Sequence, residues 1–271
     1  MKNAKILFVC SEIAPYLPEN DISVICRYLP QAIQEMGNEI RTFSPHYGCI
    51  NDRRHQLHEV IRLSGINLII DDNDHPLLIK VASISAARMQ VYFIDNEDFF
   101  RRKQLFADEE GIPFADNDER AIFYARGVLE TVKKLQWVPD VIHCHGWFTY
   151  MVPLFLKNAY KDDIIKNSKI VLSLYNDRFE GEFSDTLSKK IISKNIKLKH
   201  IEKLIEKPDY EQFVKFAVDY SDGIIFGTKT INKNVEDYVR ESEKQILECH
   251  EINDNPQSYA DFYEKILEKH D

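Results

Sequence analysis

The chain has 271 residues, with 35 basic against 44 acidic side chains, a formal charge of −9, 44% hydrophobic residues and 29% charged ones. That is the composition of an ordinary globular protein built around one large core. The acidic balance argues against non-specific nucleic-acid binding, which needs clustered Lys and Arg to neutralise phosphates.

The apolar run over 4–10 predicts a buried parallel strand. Apolar residues at helical spacing follow over 21–36, with Asp21 as the expected N-cap, Gly37 as the stop and Pro30 inside, where it is expected to kink or split the helix. A strand over 40–44 completes a β-α-β unit, the opening of a doubly wound sheet. Residues 55–85 alternate without helical spacing and contain Asp71-Asp72-Asn73-Asp74, so they predict a β-rich insertion with a turn at the acidic run. A strand over 89–94 returns to the central sheet.

The strongest amphipathic helix is expected over 116–135. Then come a strand over 141–145, a helix over 147–157 and a strand over 170–175. A Lys- and Ile-rich segment over 189–207 reads as exposed helix or loop. A helix over 210–220, a strand over 223–226 and helices over 232–249 and 257–270 close the chain. Strands alternating with helices imply an α/β class with a mostly parallel, Rossmann-like doubly wound sheet.

The five cysteines are widely spaced, with no Cys-x-x-Cys pair, as in free thiols of a reducing compartment. The first apolar run is too short for a signal peptide and no stretch reaches transmembrane length, so a cytoplasmic protein with no membrane partner is expected. His143 and His145 lie two apart on one strand face, but no second cluster has ligand spacing, so no metal and no cofactor are expected. His145, at the strand end, is the better candidate for touching a ligand, and Trp147 either stacks on a sugar ring or belongs to the core. Asp116 either caps the helix or acts in a site. There is no Gly-x-Gly-x-x-Gly and no phosphate-loop motif, and the loop from Ala14 to Ile22 has no glycine at all. Close backbone approach to a pyrophosphate is therefore not expected from this chain.

Taken together, Lys5 to Pro15 (KILFVCSEIAP), Tyr28-Leu29-Pro30, Pro45-His46-Tyr47-Gly48, Val91 to Phe99 (VYFIDNEDF), Asp116-Asn117-x-x-Arg120 and Pro139 to Trp147 (PDVIHCHGW) resemble the N-terminal, acceptor-side domain of glycogen and starch synthases. The resemblance implies half of a GT-B glycosyltransferase fold: a retaining glucosyltransferase in which this domain binds the glucan and a C-terminal domain holds most of the ADP-glucose. It implies catalytic positions at His145 and Asp116, and substrate contacts at Glu12, Trp147 and Asn176. The family's Lys-x-Gly-Gly-Leu phosphate loop falls on Pro18-Glu19-Asn20-Asp21-Ile22, so Pro18, Asn20 and Asp21 mark a degenerate donor loop. The family's His-Asp-Trp has Gly146 in place of Asp, and Tyr175 stands where its strand-end His belongs.

The donor domain would begin soon after Phe226-Gly227-Thr228. Instead a synthase-type domain over 1–256 is expected, followed by a helix over 257–270 that resembles the family's terminal helix and packs back on it. The expected activity is that of a synthase-like glycosyltransferase domain, weak or absent in the single chain. The alternative is a non-catalytic glucan-binding or regulatory subunit. Expected partners are a glucan or sugar, ADP-glucose only weakly or with a partner chain, and a hetero- or homo-oligomeric mate.

Overall fold

The computed structural model describes residues 3–249 and 255–268. Its strands are β1 (Lys5–Cys10), β2 (Glu39–Pro45), β3 (His58–Glu59), β4 (Ile66–Ile70), β5 (Asn73–Ile84), β6 (Met89–Asp95), β7 (Val141–His145), β8 (Lys169–Leu174), β9 (Gly223–Phe226) and β10 (Gln245–Leu247). They form one sheet in the order β10-β9-β8-β7-β1-β2-β6-β5-β3, with β4 paired to β5. From β10 to β6 every pairing is parallel, whereas β5 runs against β6, β3 and β4. β7 and β8 are buried at every position, as strands covered on both faces must be.

The helices are α1 (Asp21–Glu35), α2 (Asp52–His55), α3 (Glu97–Phe100), α4 (Asn117–Lys134), α5 (Val152–Asn158), α6 (Leu187–Ile191), α7 (Glu202–Glu206), α8 (Tyr210–Asp219), α9 (Lys233–Glu241) and α10 (Pro256–Glu268). The chain moves outward from β1 through β2 to β6, then returns to β7 on the other side of β1 and moves outward again to β10. The strand order therefore reverses between β1 and β7. In such sheets the crevice at that reversal, outside the strand carboxyl ends, is where ligands bind.

The β-rich insertion is present. β4 and β5 are joined at Asp71 and Asp72, whose φ angles of 48° and 61° make a two-residue hairpin of the kind that short Asp side chains tolerate. Several sequence expectations change. Asn20, not Asp21, caps α1, because its amide oxygen reaches the Ser23 N–H at 2.7 Å. α1 stays one helix despite Pro30. The helix expected over 147–157 is a single tight turn at Trp147–Thr149 followed by α5. The helix expected over 232–249 stops at Glu241, and Gln245–Leu247 instead extends the sheet beside β9. The Lys-rich segment is not simply exposed: Lys190, Ile191, Ile196, Ile201 and Leu204 are buried. The expected helix over 257–270 reaches past the described residues at Lys269 and His270.

α10 lies beside α1 against the sheet. The Tyr263 hydroxyl pairs with Nδ1 of His143 at 2.7 Å, and a Cβ on Gly223 would come within 2.6 Å of Ile266 and 3.0 Å of Phe262. Tyr259, Phe262, Tyr263 and Ile266 are all buried. Phe262→Ala is therefore expected to cost about 3–5 kcal/mol, read as a lower midpoint in thermal unfolding, while Lys265→Ala, at an exposed position of the same helix, changes it little.

Candidate functional site

The carboxyl end of β1 is fixed from two sides. Tyr124 of α4 donates its hydroxyl to the Cys10 carbonyl at 2.8 Å, and Tyr47, just past β2, donates to the Ser11 carbonyl at 3.0 Å. Both phenols are fully buried, and burial pushes both hydroxyls well above their ordinary titration range, so they remain donors. Glu12 follows at once and faces the crevice.

Across the crevice, β7 ends in two imidazoles whose ring centroids lie 3.8 Å apart with their planes tilted by 41°. Nε2 of His143 meets the Ser173 hydroxyl and Nδ1 of His145 meets the Tyr175 hydroxyl, each at 2.7 Å. Neither ring has any exposed surface. Burial drives the pKa of His145 down to about 3, and burial together with its neighbour drives that of His143 well below the ordinary range, so both rings are neutral. Nε2 of His145 and Oγ of Ser11 are buried without a hydrogen-bond partner among the described residues. Gly146 has φ of +83°, and a Cβ there would sit 2.3 Å from Ser11 Oγ. The backbone is thus locked to glycine where the synthase pattern has Asp.

A carboxylate still serves this turn, from the next strand. Asp177, three residues past β8, accepts the Trp147 N–H at 2.7 Å and lies 3.5 Å from the Tyr210 hydroxyl. Its surroundings push its pKa up to about 6, chiefly by desolvation, with the Trp147 N–H opposing and the Glu12 charge adding. Glu12 is also raised by burial, partly offset by the Asn20 amide that donates to it at 2.7 Å.

Glu12, Asn20, Asp21, Ile22, Tyr175, Asn176 and Asp177 line a cavity of about 200 Å³ at the switch point. Three of these carry carboxylates and none is cationic. The helix N-terminus beside them is closed: Asn20 Oδ1 takes the Ser23 N–H, the Ser23 hydroxyl takes the Asn20 N–H at 2.9 Å, and Asp21 opens the first turn. Two of the backbone donors at this end, those of Asn20 and Ser23, are thus taken by side chains of the chain itself.

Of the residues singled out in the sequence, Glu12, Asn20, Asp21 and Asn176 meet in this cavity. Pro18 is exposed beside it, its carbonyl held by the Ser23 hydroxyl. His145 lies beneath the cavity and touches it through Tyr175. Trp147 is buried among Phe106, Phe148, Phe179 and Phe183. Asp116 occupies the cap position of α4 but makes no side-chain cap; both its oxygens are instead held by Arg102 at 2.6 and 2.7 Å. Arg102 is delivered by a loop that crosses Gly48 so closely that a Cβ would lie 2.0 Å from the Arg101 carbonyl.

Sequence reading missed Asp177 and Arg102, and noted Arg120 only as part of the helix-start motif; its buried guanidinium donates to the Phe99 carbonyl and to Asn117. The position of Asp177 just past an apolar strand was the available signal. Among the described residues, no group of three or more His, Cys, Asp or Glu is placed to hold a metal ion, and no helix is long and apolar enough to cross a membrane.

The profile of the starch synthase catalytic domain matches residues 5–246. The chain belongs to that family. It is 36% identical over 197 residues to the glycogen synthase of Chlorobium luteolum, covering 72% of this chain and 40% of that protein. To the glycogen synthase of Chlorobaculum tepidum it is 39% identical over 184 residues, covering 67% and 38%. The chain thus spans about 40% of the length of the curated relatives it matches. In fold it is similar to the catalytic domain of starch synthase IV from Arabidopsis thaliana, solved with ADP and acarbose. That match has a TM-score of 0.76 at 17% identity, over 92% of this chain and 51% of the other. The sheet is therefore that of a GT-B half.

The two imidazoles make the stability of the chain pH-dependent. The folded chain keeps both neutral, whereas the unfolded chain protonates them near the ordinary value of about 6.5. Their contribution is complete above that value and is lost as pH falls towards 3, at about 1.4 kcal/mol per unit for each proton taken up only on unfolding. Asp177 has the opposite sign: its raised pKa removes stability as pH rises from about 4 through about 6. In melting curves between pH 7 and pH 5, His145→Gln should lose less stability on acidification than the wild type, and Asp177→Asn should lose more. Parallel curves would contradict the assignment.

Proposed function

We propose that this chain is the glucan-binding, acceptor-side half of a synthase-type glycosyltransferase, and that by itself it does not hold ADP-glucose well enough to transfer glucose. The observation that carries this is the state of the helix N-terminus at the switch point. Two of its donors, the N–H groups of Asn20 and Ser23, are taken by the Ser23 and Asn20 side chains, and its rim carries Glu12, Asp21 and Asp177. A diphosphate brought there meets like charge and a helix end already capped by its own side chains. A neutral sugar meets groups suited to it, since carboxylates accept from hydroxyls and the amides of Asn20 and Asn176 both donate and accept.

In this reading Glu12, Asn176 and Asp177 contact the sugar, and Tyr175 gives the cavity an aromatic wall. His145 acts through Tyr175 by holding its hydroxyl, and is a positioning residue. Trp147 orients Asp177 through its N–H. Asp116, locked to Arg102, holds the loop after β6 beside the cleft. The Arabidopsis relative was solved with ADP and acarbose; for the present chain the glucan side is the side retained. Transfer then requires a donor-binding half supplied by another domain or chain in the same cytoplasmic setting. A purely regulatory glucan-binding subunit is the second reading, favoured by Gly146 in place of the family's Asp.

Electrophoresis through a gel containing glycogen tests the proposal. The wild type is expected to be retarded, and Asn176→Ala and Glu12→Gln to migrate nearly as in a glycogen-free gel, with unchanged circular dichroism. A wild type that runs alike in both gels would rule out the glucan role.

A further inference from the structure

A second concavity lies at the opposite end of the sheet. The β2–β6 ladder runs from Thr42–Val91 to Pro45–Ile94, and below it the two strands part. The gap is closed by the tight turn from β5 into β6, where Arg88 has φ of +51°. The resulting pocket is about 410 Å³ and is bordered by Arg41, Arg88, Ser83, Ser85, Gln34 and Gln90, with Ile84 and Tyr92 as apolar wall. No Asp or Glu lines it, in a chain with a formal charge of −9.

Arg41 is held in place without being neutralised. One of its Nη atoms donates to the Tyr92 hydroxyl at 2.7 Å, and the guanidinium lies over the rings of Tyr92 and Trp137 at 5.7 and 5.1 Å. Its Nε is buried and has no hydrogen-bond partner. Glu39, two residues earlier on the same strand face, is engaged by the Trp137 indole N–H and forms no ion pair with Arg41. Arg88 is exposed, and among the described residues it too has no carboxylate partner. Two unpaired guanidiniums, one of them pre-oriented by aromatic stacking, thus face a pocket that also offers two hydroxyls and two amides.

We propose that this pocket binds a small phosphomonoester. Guanidinium forks match phosphate oxygens in bidentate geometry, and two of them match a dianion better than a single carboxylate. Ser83 and Ser85 can donate to the remaining oxygens. A space of several hundred Å³ exceeds what inorganic phosphate fills and leaves room for a short polar carbon skeleton against Tyr92 and Ile84. The site lies across the sheet from the sugar cleft, at the starting end of the strand whose other end delivers Tyr47 to the Ser11 carbonyl. It rests on different residues from the glucan reading, so either can fail alone.

The test is titration of the full chain at low ionic strength with glycerol 3-phosphate and, separately, inorganic phosphate. Binding is followed by calorimetry and by amide shifts in a ¹⁵N-labelled sample. The expected result is saturable binding of the ester at submillimolar concentration, tighter than inorganic phosphate, with shifts centred on residues 40–42 and 83–92. Arg88→Gln and Arg41→Gln should each weaken it roughly tenfold or more, while glycogen retardation and melting temperature stay as in the wild type for Arg88→Gln. Absence of binding at about 10 mM ester, shifts centred elsewhere, or equal affinity in Arg88→Gln would overturn the proposal. Equal affinity for ester and inorganic phosphate would show an anion site without the specificity claimed.

Discussion

The architecture of the cleft depends on a row of buried hydroxyls and imidazoles that fixes where the central strands end. Tyr124 and Tyr47 hold the last carbonyls of β1, Tyr150 holds the Ser173 carbonyl of β8 at 2.8 Å, and Tyr263 and Ser173 clamp His143 from its two ring nitrogens. Each contact replaces water at a polar atom with no exposure, where an unmade hydrogen bond would cost about 1–3 kcal/mol. The tyrosines come from α4, α10 and two strand-end segments, so elements far apart in sequence converge on the same few ångströms. This convergence explains why α10 belongs to the fold: its Tyr263 completes the shell of His143, and its apolar face covers Gly223.

On that fixed floor, small substitutions have redirected the chemistry of the rim. Gly146 leaves space for Ser11 and gives up a carboxylate; Asp177 restores one from the neighbouring strand, against the Trp147 N–H. Asn20 closes a capping box with Ser23 and steadies Glu12 with its amide. Tyr175, filling the space above Gly227, takes up the hydrogen bond of His145. The outcome is a cleft whose lining carries Glu12, Asp21 and Asp177 and no cation. Charge decides ligand class here more than shape, because a 200 Å³ cavity can admit either a pyrophosphate or a sugar ring.

Much of this was legible from residue order alone. The alternation of apolar runs and amphipathic stretches specified the parallel sheet, and His145 was marked at the end of a predicted strand. The extension β10 was not legible, since Gln245–Leu247 is too short to show period-two alternation and follows a helix without a strong stop. The cap of α1 was misassigned by one residue because Asn20 and Asp21 are both good caps by type, and only geometry separates them. The roles of His145 and Trp147 were also beyond a linear reading. Both sit beside the predicted crevice, but whether a strand-end side chain points into it or beneath it depends on the aromatic residues from 106, 179 and 183, which are distant in sequence. Asp177 became visible only once β7 and β8 were placed side by side.

In the proposed reading the switch-point cavity rejects a nucleoside diphosphate sugar through its own carboxylates and the capping box of α1. Calorimetric titration of ADP-glucose into the wild type and into the double variant Asp21→Asn/Asp177→Asn tests this most directly. The account predicts no saturation of the wild type below millimolar concentration and a measurably tighter association for the variant, most marked above pH 6, where Asp177 is charged. Micromolar binding by the wild type, about −8 kcal/mol, or a variant no tighter than the wild type, would contradict it.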